Sequence, residues 1–410
     1  MFGALSGMFE YINGLNAHYA ALSYEEQKAM TIVERLSIYN WSFELCALGL
    51  LALVVLAYKV GTSINVGKAK KVMTSVNSFL NDELCFAKVG IVDPRFPTRM
   101  YNSERQNTWF TTFATGRSAI ASIRVNLHLP PLNNPFTLFI EGILAYAFPV
   151  LKSKELESFI EVVIRPNGIH FGSTTQELTN DKLKARKDIL AKFKFITAVV
   201  NKHVMNEVRD DHYFLSLCAT TDNDALPQEY VFMSEMNQLN GFITNYLSKT
   251  KTPLNEALKQ SNRILEFIAF TDLPSDKPFS VEEWNEETHD PRILIRTAVP
   301  NSAAELEALN KLISVAVEVY DNYTAELSTK GFAYVTNDML KKSNNMRTQE
   351  LEKLVKAAKM KALEEAKEKK LAEEKERRRQ LKGTTEQQKL DQKMKEKRER
   401  RQRNKQKVRM

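Results

Sequence analysis

The feature that most constrains this chain is an apolar run at residues 45–58 (LCALGLLALVVLAY), which contains no charged side chain. The run alone is shorter than the roughly 20 residues that cross a bilayer. Trp41 and Phe43 extend it upstream, and residues 60–66 extend it downstream. A buried core helix usually keeps a polar stripe, and a signal peptide begins nearer the N-terminus, so both alternatives fit less well. The sequence therefore predicts a membrane-spanning helix over residues 41–66. The apolar residues predicted to form the span are Leu45, Leu48, Leu50, Leu51, Leu53, Val54, Val55 and Leu56.

The charges on either side of this run predict its orientation. Upstream, Lys28 and Arg35 are outnumbered by five glutamates. The downstream flank carries four lysines within a short stretch, Lys59, Lys68, Lys70 and Lys71. Because basic flanks stay in the cytosol, residues 1–40 are predicted to form a short luminal tail. The rest of the chain, after the span, is predicted to be cytosolic. Ser23 and Glu26 have capping-box spacing and predict a helix in the luminal part.

The charge of the chain is distributed unevenly. The net charge is +8, but residues 346–410 hold 24 Lys and Arg against 12 Asp and Glu, a net of +12. The remainder, residues 1–345, therefore has a net charge of −4. Attraction to polyanions is thus expected of the C-terminal tail and not of the body. The three cysteines are scattered, which argues against a disulfide framework or a zinc site.

Residues 67–330 are predicted to form a cytosolic domain of mixed α and β structure, an α+β fold with a sheet covered by helices. Strands are predicted at residues 120–129, 161–164, 168–171, 213–219 and 291–299. Helices are predicted at residues 136–151, 181–200, 229–247 and 302–327. The 136–151 segment is apolar enough to resemble a second span. Because Glu141 interrupts it and Pro149 ends it, the sequence favours a core helix there.

No catalytic constellation stands out in this domain. The chain lacks a glycine-rich phosphate loop, GxSxG and HExxH. The cluster at residues 209–212 (RDDH) is interpreted as a solvated turn, His170 as a residue on an exposed strand face, and Cys218 as a small buried apolar residue. The chain is therefore not expected to be an enzyme or to hold a cofactor or metal. A deep pocket lined by converging ionisable residues would instead favour a membrane-bound enzyme.

Residues 331–410 are predicted to form a charged helical tail. From Gln349 onward the tail consists mainly of strong helix formers. Favourable i,i+4 pairs such as Glu352 with Lys356 support the helix. An apolar stripe of Leu351, Leu354, Val355, Ala358 and Ala362 fades after Leu371. This tail looks like a coiled coil but lacks the three or four heptads that a coiled coil needs. Residues 383–388 (GTTEQQ) are predicted to interrupt the helix.

The end of the tail is where a polyanion is expected to bind. The candidate ribosome- or RNA-binding residues are Arg377, Arg378, Arg379, Lys382, Lys395, Lys397, Arg398, Arg400, Arg401, Arg403, Lys405 and Lys407. Nucleic-acid phosphate and anionic lipid are both possible partners, since each attracts clustered Lys and Arg. A solvated charged helix without a specific partner is the third interpretation.

Several local motifs, taken together with this layout, resemble the calumin family of coiled-coil membrane proteins of the endoplasmic reticulum. Four of them are Phe113-Ala-Thr-Gly-Arg117, Met233-Ser-Glu-Met236 at the predicted start of a helix, Phe270-Thr-Asp-Leu273, and the final Lys405-Gln-Lys-Val-Arg-Met410. The break near Thr384-Thr-Glu-Gln-Gln388 is also similar to that of the family. The resemblance covers the chain from the span to its C-terminus. The order of span, α+β domain and basic tail also supports it.

The resemblance implies a subunit of an intramembrane chaperone complex in the endoplasmic reticulum membrane. Its implied partners are a small multi-span membrane protein of the Asterix type, the Sec translocon, the ribosome and multi-pass client proteins. The family's animal members carry a long acidic luminal region linked to calcium binding. Here the luminal tail and the start of the span together, about 44 residues, hold only five glutamates and no acidic run, and this departure puts a calcium-buffering role in question.

The resulting hypothesis is a non-enzymatic accessory factor of the ribosome-bound Sec translocon, which assists insertion and folding of multi-pass membrane proteins. In this hypothesis the basic tail contacts ribosomal RNA. The alternative is a tether of the endoplasmic reticulum membrane or a scaffold that binds membrane lipid without ribosome contact.

Overall fold

The computed structural model describes residues 14, 16–92, 98–147, 156–171, 180–247, 250, 253–286, 289–330, 334–380, 392–396 and 399. Three short helices begin the described chain: α1 (Ala17–Ala20), α2 (Tyr24–Ala29) and α3 (Ile32–Ile38). The predicted capping box of Ser23 and Glu26 is present at the start of α2. A second one, formed by Thr31 and Glu34, starts α3. Their apolar side chains, including Ile32 and Val33, are exposed.

The helix that carries the apolar run is much longer than the predicted span. Helix α4 extends over Ser42–Ser78 and continues into a π-helical turn, Phe79–Glu83. It passes residue 66, the predicted boundary between span and domain, without a break. The buried residues of α4 all lie in its second half: Gly61, Asn65, Ala69, Val72, Met73, Val76 and Asn77. One helix therefore serves as the candidate span in its first half and as a core element of the domain in its second half.

The domain is built on one ten-stranded sheet. Its strands are β1 (Lys88–Val89), β2 (Asn102–Glu104), β3 (Trp109–Thr115), β4 (Ile120–His128), β5 (Phe159–Pro166), β6 (Thr197–Asn201), β7 (Ala219–Thr221), β8 (Tyr230–Ser234), β9 (Leu265–Thr271) and β10 (Arg292–Ala298). The order across the sheet is β1-β3-β4-β5-β10-β9-β6-β8-β7, with β2 pairing beside β3. Every described pairing is antiparallel.

Helices cover both faces of this sheet. They are α5 (Pro135–Ala147), α6 (Asn180–Ala191), α7 (Met205–Asp211), α8 (Tyr213–Ser216), α9 (Asn240–Leu247), α10 (Leu254–Ser261), α11 (Val281–Glu286), α12 (Ala303–Lys330) and α13 (Asn337–Gln380). The main core lies between one face and helices α4, α9, α10 and α12. A second core lies on the opposite face, where β6, β8 and β9 meet α7, α8 and α11. The first part of α13 packs on this second core through Leu351 and Leu354.

The mixed α and β architecture with a C-terminal helical region is confirmed. Strand β4 matches the prediction at residues 120–129, and β10 matches the one at 291–299. The residues 161–164 lie within β5. Helix α12 matches the prediction at residues 302–327, with Leu309, Leu312 and Tyr320 of its predicted apolar face fully buried. Strand β4 and helix α12 have periodicities near two and 3.6 residues, which is the strongest secondary-structure signal in a sequence.

Other element predictions are wrong. Residues 213–219 form the short helix α8 and the start of β7 instead of one strand, and residues 230–234 form strand β8 instead of the start of a helix. The helix predicted at residues 181–200 ends at Ala191 and is followed by β6. Strands β6 and β8 are buried at every position, so they have no alternation to distinguish them from a buried helix. Residues 168–171 are not a strand, and His170 there is half-buried.

The predicted core helix at residues 136–151 is helical as α5 up to Ala147 but contains no buried residue. Residues 148–151 lie outside the described residues. The prediction of a core position is therefore wrong, because Glu141 and Pro149 argue against a second span but do not require the helix to be buried. The break predicted at residues 383–388 also lies outside the described residues.

Candidate functional site: membrane anchor and docked tail

The first half of α4 is an apolar helix that the described chain leaves largely exposed. Of the eight residues predicted to form the span, seven are exposed and Val54 is half-buried. The exposed apolar residues run from Phe43 to Ile64, a length of about 31 Å at 1.5 Å per residue. This length matches the roughly 30 Å hydrocarbon thickness of a bilayer. The helix is thus long and apolar enough to cross a membrane, and it is the one such helix among the described residues.

The base of the candidate span is fixed to the domain by a close backbone contact. Gly61 lies so close to the loop after β4 that a Cβ atom at this position would stand 2.2 Å from the carbonyl oxygen of Leu132. One turn later, Asn65 donates from Nδ2 to the carbonyl oxygens of Asn107, at 3.2 Å, and Pro130, at 3.0 Å. Gly61 permits this close backbone approach, and the two hydrogen bonds of Asn65 hold α4 beside the end of β4.

A second polar contact holds the lower part of α4. Asn77 donates from Nδ2 to the carbonyl oxygen of Met100 at 3.0 Å and accepts from the hydroxyl of Thr112 at 2.7 Å. Both side chains are buried, and Ala69 and Met73 between the two polar contacts are fully buried. Breaking these buried hydrogen bonds would leave polar groups unpaired away from water, so they favour one packing arrangement. The candidate span is therefore a rigid extension of the domain.

The tail helix is fixed to the opposite face of the sheet by a buried ionic cluster. Arg347 of α13 donates from Nε to the carboxylate of Asp272 at 2.8 Å and forms an ion pair with Glu235 at 3.0 Å. The Arg347 side chain is 10% exposed, and each carboxylate side chain is 1% exposed. The hydroxyl of Ser343 also donates to Glu235. Three elements that are distant in sequence, β8, β9 and α13, meet at this cluster.

The electrostatics of the cluster are strongly coupled. Burial by itself would lower the pKa of Arg347, but hydrogen bonds and charge from Asp272 and Glu235 hold that pKa above its usual value. Burial raises the pKa of Glu235, and Arg347 offsets part of the rise. The arginine therefore stays charged, and its single positive charge is shared between two buried carboxylates.

Two of the motifs that carry the family resemblance supply this cluster. Glu235 lies in Met233-Ser-Glu-Met236, and Asp272 lies in Phe270-Thr-Asp-Leu273. In the first motif, Met233 and Ser234 end strand β8, and Met236 is the N-cap of a 3-10 helix, Asn237–Leu239, that leads into α9. The motif therefore directly precedes a helix, but its first half is strand. A third motif ends in Arg117, whose guanidinium pairs with Asp321 of α12 and donates to the carbonyl oxygen of Leu84. These motifs thus hold helices against the sheet.

Beyond the cluster, α13 first packs on the second core and then extends away from the domain. Tyr213 donates its hydroxyl to Glu350 at 3.2 Å, and burial together with Glu350 raises the pKa of this tyrosine. The predicted apolar stripe packs only at Leu351, Leu354 and Val355, which are partly buried, whereas Ala358 and Ala362 are exposed. From Lys356 to Glu376 every side chain is exposed. The helix from residue 356 to residue 380 extends about 37 Å from the domain, at 1.5 Å per residue.

The predicted RNA-binding residues lie at and beyond the end of this projection. Arg377, Arg378 and Arg379 are in the last turns of α13, and Lys395 is exposed in the helical segment 392–396. The remaining ones lie outside the described residues: Lys382, Lys397, Arg398, Arg400, Arg401, Arg403, Lys405 and Lys407. Ribosome or RNA binding by any of these residues stays a prediction.

The weak catalytic candidates are structural. The cluster at residues 209–212 is not a solvated turn: it ends helix α7, and His212 is buried against the ring of Phe267. Cys218 is buried as predicted, and this burial raises the pKa of its thiol. Within the described residues there is no group of His, Cys, Asp and Glu side chains that could hold a metal ion.

An α+β domain joined rigidly to one candidate membrane span, with a charged helix docked on its sheet, defines a class of membrane-anchored protein with a projecting arm. The family described as PAT complex subunit CCDC47 matches residues 40–401, and the chain belongs to this family. This is the calumin family that the motifs resemble, so the finding confirms that resemblance. Family members are subunits, so the chain belongs to a complex with partner subunits, and the family is not one of enzymes.

Two relatives agree with this placement. The chain is 49% identical over 367 residues to the UPF0674 endoplasmic reticulum membrane protein YNR021W of Saccharomyces cerevisiae, covering 89% of this chain and 87% of the yeast protein. It is 25% identical over 177 residues to the UPF0674 endoplasmic reticulum membrane protein C2G5.01 of Schizosaccharomyces pombe, covering 43% of this chain and 41% of that protein. The relatives are therefore membrane proteins of the endoplasmic reticulum.

Proposed function

We propose that this chain is a non-enzymatic subunit of an intramembrane chaperone complex at the ribosome-bound Sec translocon, where it assists multi-pass membrane proteins to insert and fold. Helix α4 spans the endoplasmic reticulum membrane with residues 1–40 in the lumen and the domain in the cytosol. The exposed apolar half of α4 meets a small multi-span partner of the Asterix type. The projecting tail contacts ribosomal RNA.

The observation that carries this proposal is the change of charge along the projecting helix. Residues 351–376 hold eight lysines and seven glutamates, a net charge of +1. Residues 377–410 hold 15 Lys and Arg against four Asp and Glu, a net charge of +11. The balanced part is the exposed arm, and the basic part begins where the arm ends. Such an arrangement supports delivery of positive charge to a polyanion at a distance from the domain.

The test is sedimentation of detergent-solubilised membranes with ribosomes through a sucrose cushion at low and high salt. One variant reverses charge at the arm's end, R377E with R378E and R379E. The matched control reverses three exposed lysines of the balanced part, K359E with K361E and K367E. Only the first variant is expected to lose sedimentation with ribosomes at low salt. Its residual binding should depend less steeply on salt, by about one unit of log–log slope per lost phosphate contact.

Two outcomes would contradict the proposal. Equal sedimentation of both variants and the unaltered chain would exclude Arg377, Arg378 and Arg379 as the ribosome contact. Binding of the tail to vesicles of anionic lipid, together with a failure of ribonuclease to release the chain from membranes, would favour the alternative of a lipid-binding tether.

A further inference from the structure

Helix α5 presents its most apolar face outward. Phe136, Phe139, Ile140, Ile143 and Leu144 follow the i, i+3, i+4, i+7, i+8 spacing of a single helix face. Their side chains are between 40% and 69% exposed, and Tyr146 near the end of the helix is 90% exposed. In a helix that packs on a core in water, these are the positions that are buried.

The opposite side of α5 is the one that faces the protein. Leu138, Glu141 and Ala145, again at helical spacing, are half-buried. Glu141 is the one charged residue of the helix, and it lies on this inner side. The arrangement is inverted relative to a soluble amphipathic helix, and it fits a helix whose outer surroundings are apolar.

The position of α5 identifies those surroundings. The helix begins at Pro135, directly after Leu132 and Asn133, whose backbone touches Gly61 of α4. On α4 the exposed apolar surface ends at Ile64, so this contact lies where the candidate span leaves the hydrocarbon. Helices α4 and α5 are in contact. Helix α5, with its apolar outer face, therefore lies beside the end of the apolar surface of the candidate span.

The length of α5 excludes a second crossing by the helix as described. Its 13 residues extend about 20 Å, which is less than the roughly 30 Å hydrocarbon thickness. Tyr146 has the amphipathic ring that favours the membrane–water interface. The helix contains no Lys or Arg, so its attraction to a membrane depends on apolar burial and not on anionic lipid.

We propose that α5 lies in the interfacial layer of the same bilayer that α4 crosses, with Phe139, Ile140 and Ile143 among the acyl chains. It is a second membrane contact, placed at the base of the span on the side of the domain. The proposal rests on α4 as a membrane span. A two-point contact of span and interfacial helix fixes the rotation of the domain about the span axis, which a single helix leaves free.

The test uses the full chain in vesicles of phosphatidylcholine, with an environment-sensitive fluorophore on one cysteine at a time. Cys46 within the span and the exposed Cys85 of the domain are native controls, while the buried Cys218 stays in place. Phe139→Cys and Ile143→Cys are made in a chain with Cys46→Ser and Cys85→Ser. Lipids with a nitroxide near the headgroup, or deep in the acyl chain, quench labels at the corresponding depth.

The labels at positions 139 and 143 are expected to be quenched, more strongly by the shallow nitroxide than by the deep one. The label on Cys85 should remain unquenched. If Cys46 is quenched and positions 139 and 143 behave like Cys85, the interfacial helix is wrong while the span stands. A blue-shifted emission at 139 and 143 without lipid quenching would mean that protein covers the face, which also overturns the proposal. Absence of quenching at Cys46 as well would overturn the span itself.

Discussion

At the scale of single residues, Arg347 connects the tail to the domain more than any neighbouring side chain. It lies between two carboxylates, Glu235 and Asp272, that have almost no exposed surface. Removing one partner of such a buried cluster leaves charge without compensation, and this costs far more than the cluster contributes relative to an apolar replacement. The cluster therefore favours the one position of α13 in which Arg347 reaches both carboxylates.

We expect Arg347→Met to lower the free energy of unfolding by about 3–5 kcal/mol, because both carboxylates stay buried without a cation. The measurement is urea unfolding of the detergent-solubilised full chain. Lys356→Met is the matched control: its exposed pair with Glu352 contributes at most about 0.5 kcal/mol. Arg347→Lys should recover only part of the loss, since an ammonium cannot donate to both carboxylates in the fork geometry of arginine. Equal unfolding midpoints for Arg347→Met and the control would show that the cluster does not hold the tail.

The sequence contains the three residues of this cluster but gives no sign that they are in contact. Glu235 and Asp272 lie in motifs that look distinctive, yet 112 and 75 residues separate them from Arg347. Contacts across such separations leave no periodicity or spacing to follow, unlike the capping box of Ser23 and Glu26, which is complete within four residues. Long-range ion pairs are the part of the site that only the fold reveals.

At the scale of elements, α4 is one helix with two environments. Its first half is apolar all round, and its second half buries only one side. The sequence predicts the first half well, because a membrane requires an uninterrupted apolar run. It does not predict that the helix continues beyond residue 66, because Lys68, Lys70 and Lys71 suggest a solvated flank. In the structure these lysines lie on the outer side of a helix whose other side packs on the sheet.

Two glycines of α4 provide a matched test of this junction. Gly61→Ala places a methyl group against the backbone of Leu132, which cannot move cheaply, so we expect a loss of about 1–3 kcal/mol of stability. Gly67→Ala meets no atom within 4 Å and should be neutral or stabilise the helix by up to about 1 kcal/mol. Thermal unfolding of the full chain in detergent distinguishes them. A similar Tm for the two variants would mean that α4 is not held closely at residue 61.

Some strands can also be predicted from their own sequence, whereas others depend on the elements that pack against them. Strand β4 alternates buried and more exposed residues along its middle, because one face of the sheet is open there. Strands β6 and β8 lie where helices cover both faces, so all their positions are buried. A short apolar segment of this kind has the same sequence pattern as a buried helix. The prediction of a helix through residues 230–234 therefore failed for a reason that depends on the neighbouring elements.

At the scale of the whole molecule, the charge division predicted from composition agrees with the structural division. The balanced arm and the domain carry little net charge, and the positive charge lies past residue 376. However, the boundary between domain and tail is not a simple linker, because the first part of α13 covers the second core. A truncation of the tail therefore removes either only the projecting arm or also the part of α13 that covers the second core, depending on where the chain ends.

We expect two truncations to behave differently. A chain ending at Asn345 loses Arg347, Leu351 and Leu354, so it uncovers the second core and should unfold at a lower temperature than the full chain. A chain ending at Glu376 keeps all of these contacts and should retain the full-length Tm while losing ribosome sedimentation. Differential scanning fluorimetry and the sucrose cushion give the two measurements. If the chain ending at Asn345 is as stable as the full chain, the part of α13 after Asn345 contributes nothing to the stability of the domain.

In the proposed arrangement, the unbroken helix Ser42–Ser78 couples the orientation of the domain to the bilayer. A hydrophobic helix in a thinner or thicker membrane adjusts by changing its tilt. With no hinge between α4 and the core, each such change is transmitted to the sheet and to the arm of α13 on its far face. The reach of the arm over the membrane surface would then follow the local thickness of the bilayer.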